Sequence, residues 1–398
     1  MAKEEKKAPK LRFNGYTNDW ERKKLGDVAN SYINGGTPDT QNKNYWIGDI
    51  PWIQSSDLKN DDIWNVNINK YITNKAVNDS AAKLIPANSI AIVTRVGVGK
   101  LAYMSQEYST SQDFLSLVDI KEDLIFIMYM LYFKISKLSS SLQGTSIKGI
   151  TKKELLNLSI SIVNNTAEQN RIGRVFKILD NSINLHEDHL QFLHVFKSFL
   201  LQKMFFDNDI PPLLRFNKFT EKWNQCRLND HAIVTMGQSP NSKNYTNNQT
   251  DKILVQGNAD LYKNKVLKRV FTTEITKTAI KNDILISVRA PVGDIARNQY
   301  ESVVIGRGIA SIKGNDFLYY QLEKMKNSGF WNKYIAGSTF ESITGKDLKN
   351  AKIYTTNSDE ERKIGNIFSS LTNIIQLQEH KIDSLKKLKQ FLLQNMFI

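Results

Sequence analysis

Apolar side chains between residues 168 and 206 step mainly by four and three: Ile172, Phe176, Leu179, Ile183, Leu190, Leu193, Leu200 and Met204. The stretch from 360 to 398 repeats the pattern with Ile364, Phe368, Leu371, Ile375, Ile382, Leu385, Leu392 and Met396. A heptad seam of this kind predicts long helices that pack on other helices. The two stretches align at a constant offset of 192 positions, with Gly173 on Gly365, Leu185 on Leu377 and Phe199-Leu200-Leu201-Gln202 on Phe391-Leu392-Leu393-Gln394. The polar exceptions also match: His186 with Gln378, and Lys197 with Lys389. Polar residues in a seam lower stability but fix register. Thr166-Ala167-Glu168-Gln169 and Ser358-Asp359-Glu360-Glu361 fit the capping-box pattern at the two starts. At 1.5 Å per residue each helix is roughly 60 Å long. Two arrangements satisfy the pattern. The helices pair as an antiparallel coil, or each closes the core of its own domain; sustained heptads favour the pair.

The repeat extends upstream. Leu11-Arg12-Phe13-Asn14 recurs as Leu214-Arg215-Phe216-Asn217, and Thr17, Trp20, Leu25 and Asp27 recur as Thr220, Trp223, Leu228 and Asp230. Both copies reach a small-residue turn, Gly35-Gly36-Thr37-Pro38 and Gly237-Gln238-Ser239-Pro240. The chain is two tandem units, each a variable globular part followed by a long helix. Runs rich in β-branched residues predict strands at 50–54, 89–95, 158–163, 283–289 and 351–355. Helical spacing predicts core helices over 124–138 and 317–327. Thr151-Lys152-Lys153-Glu154 and Thr344-Gly345-Lys346-Asp347 predict short capped helices. The paired prolines of Asp207–Pro212 break the chain between units.

Composition changes the picture little. A chain of 398 residues accommodates two or three domains, and 41% apolar residues suffice for sizeable cores. No apolar run approaches the roughly 20 residues of a membrane span, and the charged start, Met1–Lys10, lacks a secretory apolar region. The single Cys226 excludes an internal disulfide framework and suits a reducing cytosol. The net charge of +14 favours phosphate backbones, with an anionic membrane or acidic partner as the competing reading.

Catalytic signatures are missing. Gly97-Val98-Gly99-Lys100 has the wrong spacing for a phosphate loop and carries Leu101 where the hydroxyl belongs. There is no dinucleotide glycine pattern, nucleophile elbow or zinc-protease helix. Asp209-Ile210-Pro211-Pro212 is not an amino-methyltransferase run, and a metal site at His186, His189 and His194 is disfavoured because the second helix offers only His380.

Binding chemistry remains. Arg95 and Arg289 end equivalent strands, where a guanidinium takes guanine bidentately, grips a phosphate, or sits in a structural salt bridge. Gln54 and Gln256, followed by Ser55 and by Gly257-Asn258, stand where amides read adenine edges or simply face solvent. Thr145, Ser146, Lys148, Ser338 and Thr339 offer donors to phosphate. Thr37, Ser239, Lys100, Asn258 and Arg307 complete the DNA-binding candidates, with turn structure as the alternative. Tyr45, Trp46 and Tyr245 serve equally as packing or stacking residues.

Two tandem units, each opening Leu-Arg-Phe…Trp…Leu-x-Asp and closing Glu-Gln/Glu-x-x-Ile-Gly…Phe-Leu-Leu-Gln-x-Met-Phe, resemble the specificity subunit of type I restriction–modification systems. The resemblance covers nearly the whole chain. It implies an α+β protein in which two mixed α/β target-recognition domains are separated by a pair of long antiparallel coiled-coil helices, with a pseudo-twofold internal repeat. The expected parts are a flexible tail at 1–12, recognition domains at 13–163 and 214–356, helices at 164–206 and 357–398, and a linker at 207–213. The implied role is non-catalytic and cytoplasmic. Each domain would read half of a split site in double-stranded DNA, while the helices dock two methyltransferase subunits and restriction/translocase subunits join the core. No cofactor is expected in this chain; S-adenosylmethionine, ATP and Mg would belong to the partners. The base-reading residues do not transfer from the family. A stand-alone bipartite DNA-binding regulator is the alternative. A nuclease or methyltransferase with its own site and a coiled-coil scaffold for proteins are weaker ones.

Overall fold

The computed structural model describes residues 8–141, 149–207, 210–335 and 341–398. The chain forms two compact units. One comprises Met1–Glu187 with His380–Ile398, the other Asp188–Glu379. The first unit therefore takes the start of helix Thr166–Met204 and the end of helix Ser358–Met396, and the second unit takes the remainder of each.

In the first unit an antiparallel sheet takes its strands in the order Ala29–Asn34, Phe114–Ile120, Ser89–Val93, Leu101–Met104. A second sheet runs Lys70–Ile72, Ile50–Ile53, Ser109–Thr110, the last pair parallel with Trp52 opposite Ser109. Strand Ser89–Val93 is buried along its whole length, which explains its unbroken apolar run. Over residues 126–133 the helix Leu124–Ser141 is apolar on every side because it is enclosed there; Phe126 through Phe133 are all buried.

The second unit repeats the plan with more strands. One sheet runs Ile233–Met236, Ile309–Lys313, Ile284–Ser287, Ile295–Arg297, Lys265–Val266, Leu261–Tyr262. The other runs Tyr245–Thr246, Val270–Thr272, Lys252–Val255, Ser302–Ile305, Thr278–Ile280. Helix Asp316–Asn327 occupies the place of Leu124–Ser141. In each unit the strand before the long helix pairs with a strand near the unit's start: Ser159–Ile162 with Glu21–Lys24, and Lys352–Thr355 with Asn224–Arg227.

Both arrangements expected of the long helices occur. The first half of each closes its own repeat's core, and its last turns close the core of the other repeat. Phe397 lies 5.5 Å from Phe126 and 5.5 Å from Phe176, ring centre to ring centre. Its counterpart Phe205 lies 5.2 Å from Phe317 and 5.6 Å from Phe368. Within the first unit the helix segments run antiparallel: Phe176 faces Phe397, Asp180 pairs with Lys389, and Glu187 pairs with Lys386. Gly173 and Gly365 let each helix touch the start of its core helix. A Cβ there would meet the backbone nitrogen of Phe126 at 3.1 Å or of Phe317 at 3.0 Å.

Ile172, Phe176, Ile183, Leu193, Ile364, Phe368, Leu371, Ile375 and Ile382 are buried; Leu179, Leu190 and Leu385 are partly so. Near the helix ends the seam shifts by one residue. Leu201 and Leu393 are buried more deeply than Leu200 and Leu392, because the last turn faces a domain core and not only a helix.

Two further expectations are corrected. The caps are Asn165 and Asn357, whose side chains accept from Glu168 N and Asp359 N. Gln169 instead accepts from Asp123 N and donates to Val163 O and Glu122, and Glu361 accepts from Thr356 N and Asn315. These two side chains thus dock the helix starts against the loops ahead of the core helices. The tail boundary at residue 12 also lies too late. Pro9 is buried, Leu11 N donates to Asn395 O, and Arg12 grips Glu168 with two bonds of 2.7 and 2.9 Å. Arg215 grips Glu360 in the same way, at 2.8 Å for both bonds. The repeated Leu-Arg-Phe and the glutamate at the helix start are thus one planar, bidentate pairing, with each carboxylate at the favourable N-terminal end of a helix. Among the described residues no helix is long and apolar enough to cross a membrane.

Candidate nucleic-acid interface

Each unit carries a rim where a strand end, a 3-10 turn and a tight turn meet. Strands Ile50–Ile53 and Lys252–Val255 run into Gln54 and Gln256, and then into turns Ser55–Asp57 and Asn258–Asp260. The nitrogens of Gln54 and Gln256 donate to the buried carboxylates of Asp57 and Asp260, at 2.9 and 2.7 Å. That leaves both amide side chains half-exposed. Arg95 and Arg289 follow strands Ser89–Val93 and Ile284–Ser287 and are exposed. Neither guanidinium has a partner among the described residues, so the salt-bridged alternative is not realised there.

Other candidates turn inward. Lys100 Nζ donates to the carbonyls of Ser55 and Leu58 at 3.0 and 2.8 Å, stitching the 3-10 turn to the strand hairpin. In the second unit that task falls to Asp294, which takes the amide of Asn258 and also pairs with Lys326. Lys100 and Asn258 are structural in these contacts, and Ser55 is half-exposed beside them. Ser239 Oγ accepts from Arg307 N at 3.1 Å and so shapes the neighbouring turn. Its counterpart Thr37 is half-exposed. Arg307 itself is exposed. Thr145, Ser146, Lys148, Ser338 and Thr339 lie outside the described residues. Trp46 packs edge-on against Trp52 at 5.0 Å, with Lys70 over both rings, and Tyr45 adjoins the same cluster. Tyr245 sits in an edge strand, half-exposed.

Sequence reasoning missed Gln112. It is exposed and lines, with Arg95, Asn34 and Lys152, a cavity of about 490 Å³. It occupies the tip of a turn equivalent to the one bearing Arg307. The flanks Ser111 and Asp113 bear no likeness to Gly306 and Gly308, so only the backbone reveals the match. Among the described residues no cluster of His, Cys, Asp and Glu is arranged to hold a metal ion.

The chain matches the type I restriction modification DNA specificity domain twice, over residues 17–193 and 220–387. It is 27% identical over 402 residues to a putative type I restriction enzyme MjaX specificity subunit of Methanocaldococcus jannaschii, covering 94% of this chain and 91% of that protein. It is 34% identical over 174 residues to the EcoR124I/EcoR124II specificity subunit of Escherichia coli, covering 41% of this chain and 42% of that one. In fold it is similar to the crystal structure of a type I restriction–modification S subunit from M. genitalium, with TM-score 0.67, 16% identity and coverage of 98% and 99%. A chain from a structure of type I R-M complex assembly gives TM-score 0.58, 20% identity and coverage of 94% and 96%. The match to two specificity domains spans most of the sequence, and the chain belongs to the type I restriction–modification DNA specificity family.

Proposed function

We propose that this chain is the DNA-reading subunit of a cytoplasmic type I restriction–modification complex, each unit addressing one half of a bipartite double-stranded site. The observation that carries this reading is the duplicated rim. Arg95 and Arg289, whose guanidiniums have no partner among the described residues, stand with Gln54 and Gln256 at equivalent strand ends of two units built on one plan. Two such readers in one chain match two half-sites, as the two halves of dimeric DNA readers do. The excess of positive charge supplies the sequence-independent share of binding.

The long helices carry the partner surface. Phe196 and Phe199 are exposed in the second unit; Leu388 and Phe391, at the same offset of 192, are exposed in the first. Exposed apolar clusters of this sort mark protein contacts, and a duplicated one suits two copies of one partner, the methyltransferase subunit. Restriction/translocase subunits join that assembly. Methyl transfer, with S-adenosylmethionine, and ATP- and Mg-dependent steps belong to these partners, and this chain is not itself the enzyme.

Mapping methylated adenines in cells with and without the gene tests the proposal. A bipartite motif that disappears with the gene is expected. Robust methylation by the rigorously purified chain alone would overturn the non-catalytic role. A methylation pattern indifferent to the gene, with no methyltransferase co-purifying, would favour a stand-alone regulator.

A further inference from the structure

We propose that Gln112 and Arg307 are the residues through which the two units read different bases, Gln112 an adenine and Arg307 a guanine. The assignment rests on the DNA-reading function proposed above.

Backbone hydrogen bonds fix the equivalence. Gly35 N donates to Phe114 O and Gly237 N to Ile309 O; Gly36 N donates to Thr110 O and Gln238 N to Ile305 O. Ser111 N bonds Ile53 O and Gly306 N bonds Val255 O, at 2.9 and 2.8 Å. Thr94 N bonds Asp113 O and Val288 N bonds Gly308 O, at 2.7 and 2.9 Å. Each turn is closed on itself by Phe114 N to Ser111 O or Ile309 N to Gly306 O. Gln112 and Arg307 are therefore the same position of one motif. Each turn is braced by the glycine turn, the strand ahead of the glutamine and the strand ahead of the arginine. A side chain on so fixed a backbone has the positional accuracy that recognition requires.

The comparison of the two rims separates positioning from reading. A phosphate looks alike at every base pair, so equivalent contacts to it are served by the same side chain; base edges differ between half-sites. Arg95 and Arg289 are the same, as are Gln54 and Gln256. Among the rim positions that differ, most are committed within the protein: Lys100 to two carbonyls, Asp294 to Asn258 and Lys326, and Ser239 to Arg307 N. Gln112 and Arg307 differ, are both exposed, and have side chains without partners among the described residues. Their chemistry names the bases. A carboxamide offers one donor and one acceptor, matching adenine N7 and N6; a guanidinium offers two donors, matching guanine O6 and N7.

The test selects preferred sequences from randomised duplexes with the full-length chain, co-expressed with its host's methyltransferase subunits. The variants are Gln112→Arg, Arg307→Gln and the double exchange. Gln112→Arg should change one A·T pair to G·C in one half-site, and Arg307→Gln one G·C pair to A·T in the other. Every other position should be retained, and the double exchange should show both changes. An unchanged motif overturns the proposal. So does uniform weakening on all duplexes in a variant that melts like wild type, since that marks a phosphate contact. If an exchange variant fails to fold, Gln112→Ala and Arg307→Ala decide. Loss of about 5- to 150-fold discrimination at a single position supports the assignment, and retained discrimination overturns it. A wild-type selection with no bipartite motif would remove the DNA-reading function itself, and this assignment with it.

Discussion

Lys389 Nζ lies 2.5 Å from Asp180 Oδ1, and both side chains are less than a tenth exposed. The other carboxylate oxygen accepts from Tyr129 at 2.7 Å and from Trp64 at 3.3 Å. Burial, then the charge of Asp180, pushes the Tyr129 hydroxyl far above its ordinary range, so it stays a donor. The matched seam lysine, Lys197, also finds a carboxylate, but from the core helix: Glu323 at 2.8 Å. The position of Asp180 is taken there by Thr372, which faces Tyr320 at 3.1 Å. The two seam lysines are equivalent, and their acids come from different elements.

Breaking this pair should cost more than replacing it. Lys389→Ala leaves Asp180 buried without its cation and should destabilise the first unit by about 3 kcal/mol. Lys389→Met with Asp180→Asn should recover much of that loss, because no buried charge is left and the Asn carbonyl can still accept from Tyr129 and Trp64. Urea unfolding followed by tryptophan fluorescence, to which Trp64 beside the pair contributes, reads the difference. A double variant as unstable as Lys389→Ala would show that packing, not charge, holds the site.

The Glu360 carboxyl gives a pH signature. Burial pushes it up, but hydrogen bonds from Arg215, Thr356 and Trp223, with the charge of Arg215, hold it below its ordinary value. A carboxyl lowered in the folded state stabilises above its unfolded value, near 4.3, and loses that contribution as pH falls through the folded value. The melting temperature of wild type should therefore exceed that of Glu360→Gln by a constant margin above about pH 5. That margin should narrow below about pH 4. A margin that widens toward acid would contradict the assignment.

What the sequence disclosed follows from where its signals are periodic. The long helices were legible because Ile172, Phe176, Leu179 and Ile183 keep a 3.5 step, and Ser89–Val93 because a wholly buried strand reads as an apolar run. Strands such as Tyr245–Thr246, Leu261–Tyr262 and Lys265–Val266 are too short to show alternation. The caps slid by one residue because Asn165 and Thr166 are both good caps, and only the geometry says which side chain meets the free nitrogen. In the rim, Gln54 and Gln256 were found by matching neighbours. Gln112 was not, because its likeness to Arg307 resides in carbonyls and amides that leave no trace in residue type.

Arg95 and Arg289 should behave alike, and unlike Gln112 and Arg307. If each grips a phosphate, Arg95→Ala and Arg289→Ala weaken all sequences together and each lowers the salt slope of binding by about 1. Titrations of the complex with specific and random duplexes at several salt concentrations measure this. A variant that keeps the salt slope but relaxes one base position would make that arginine a base reader.

Ending the chain after Phe206 should give a half-protein that pairs with itself. The first unit would then lack residues 380–398, and with them Leu393, Met396 and Phe397 from the core that holds Trp20, Phe126 and Phe176. Exposing such side chains costs about 1.5–3 kcal/mol each. The half-protein carries its own substitutes in Leu201, Met204 and Phe205, which fill the same place in the second unit. A second copy can present them through a twofold exchange of helix ends. Charge agrees with packing, because Lys197 of each copy would arrive where Lys389 stood, opposite Asp180 of the other. Light scattering should report a dimer, and Lys197→Glu should weaken it by opposing like charges. Duplex selection should return an inverted repeat of the first half-site. A strict monomer that melts like the first unit of the full chain would show that the core does not need the borrowed helix end.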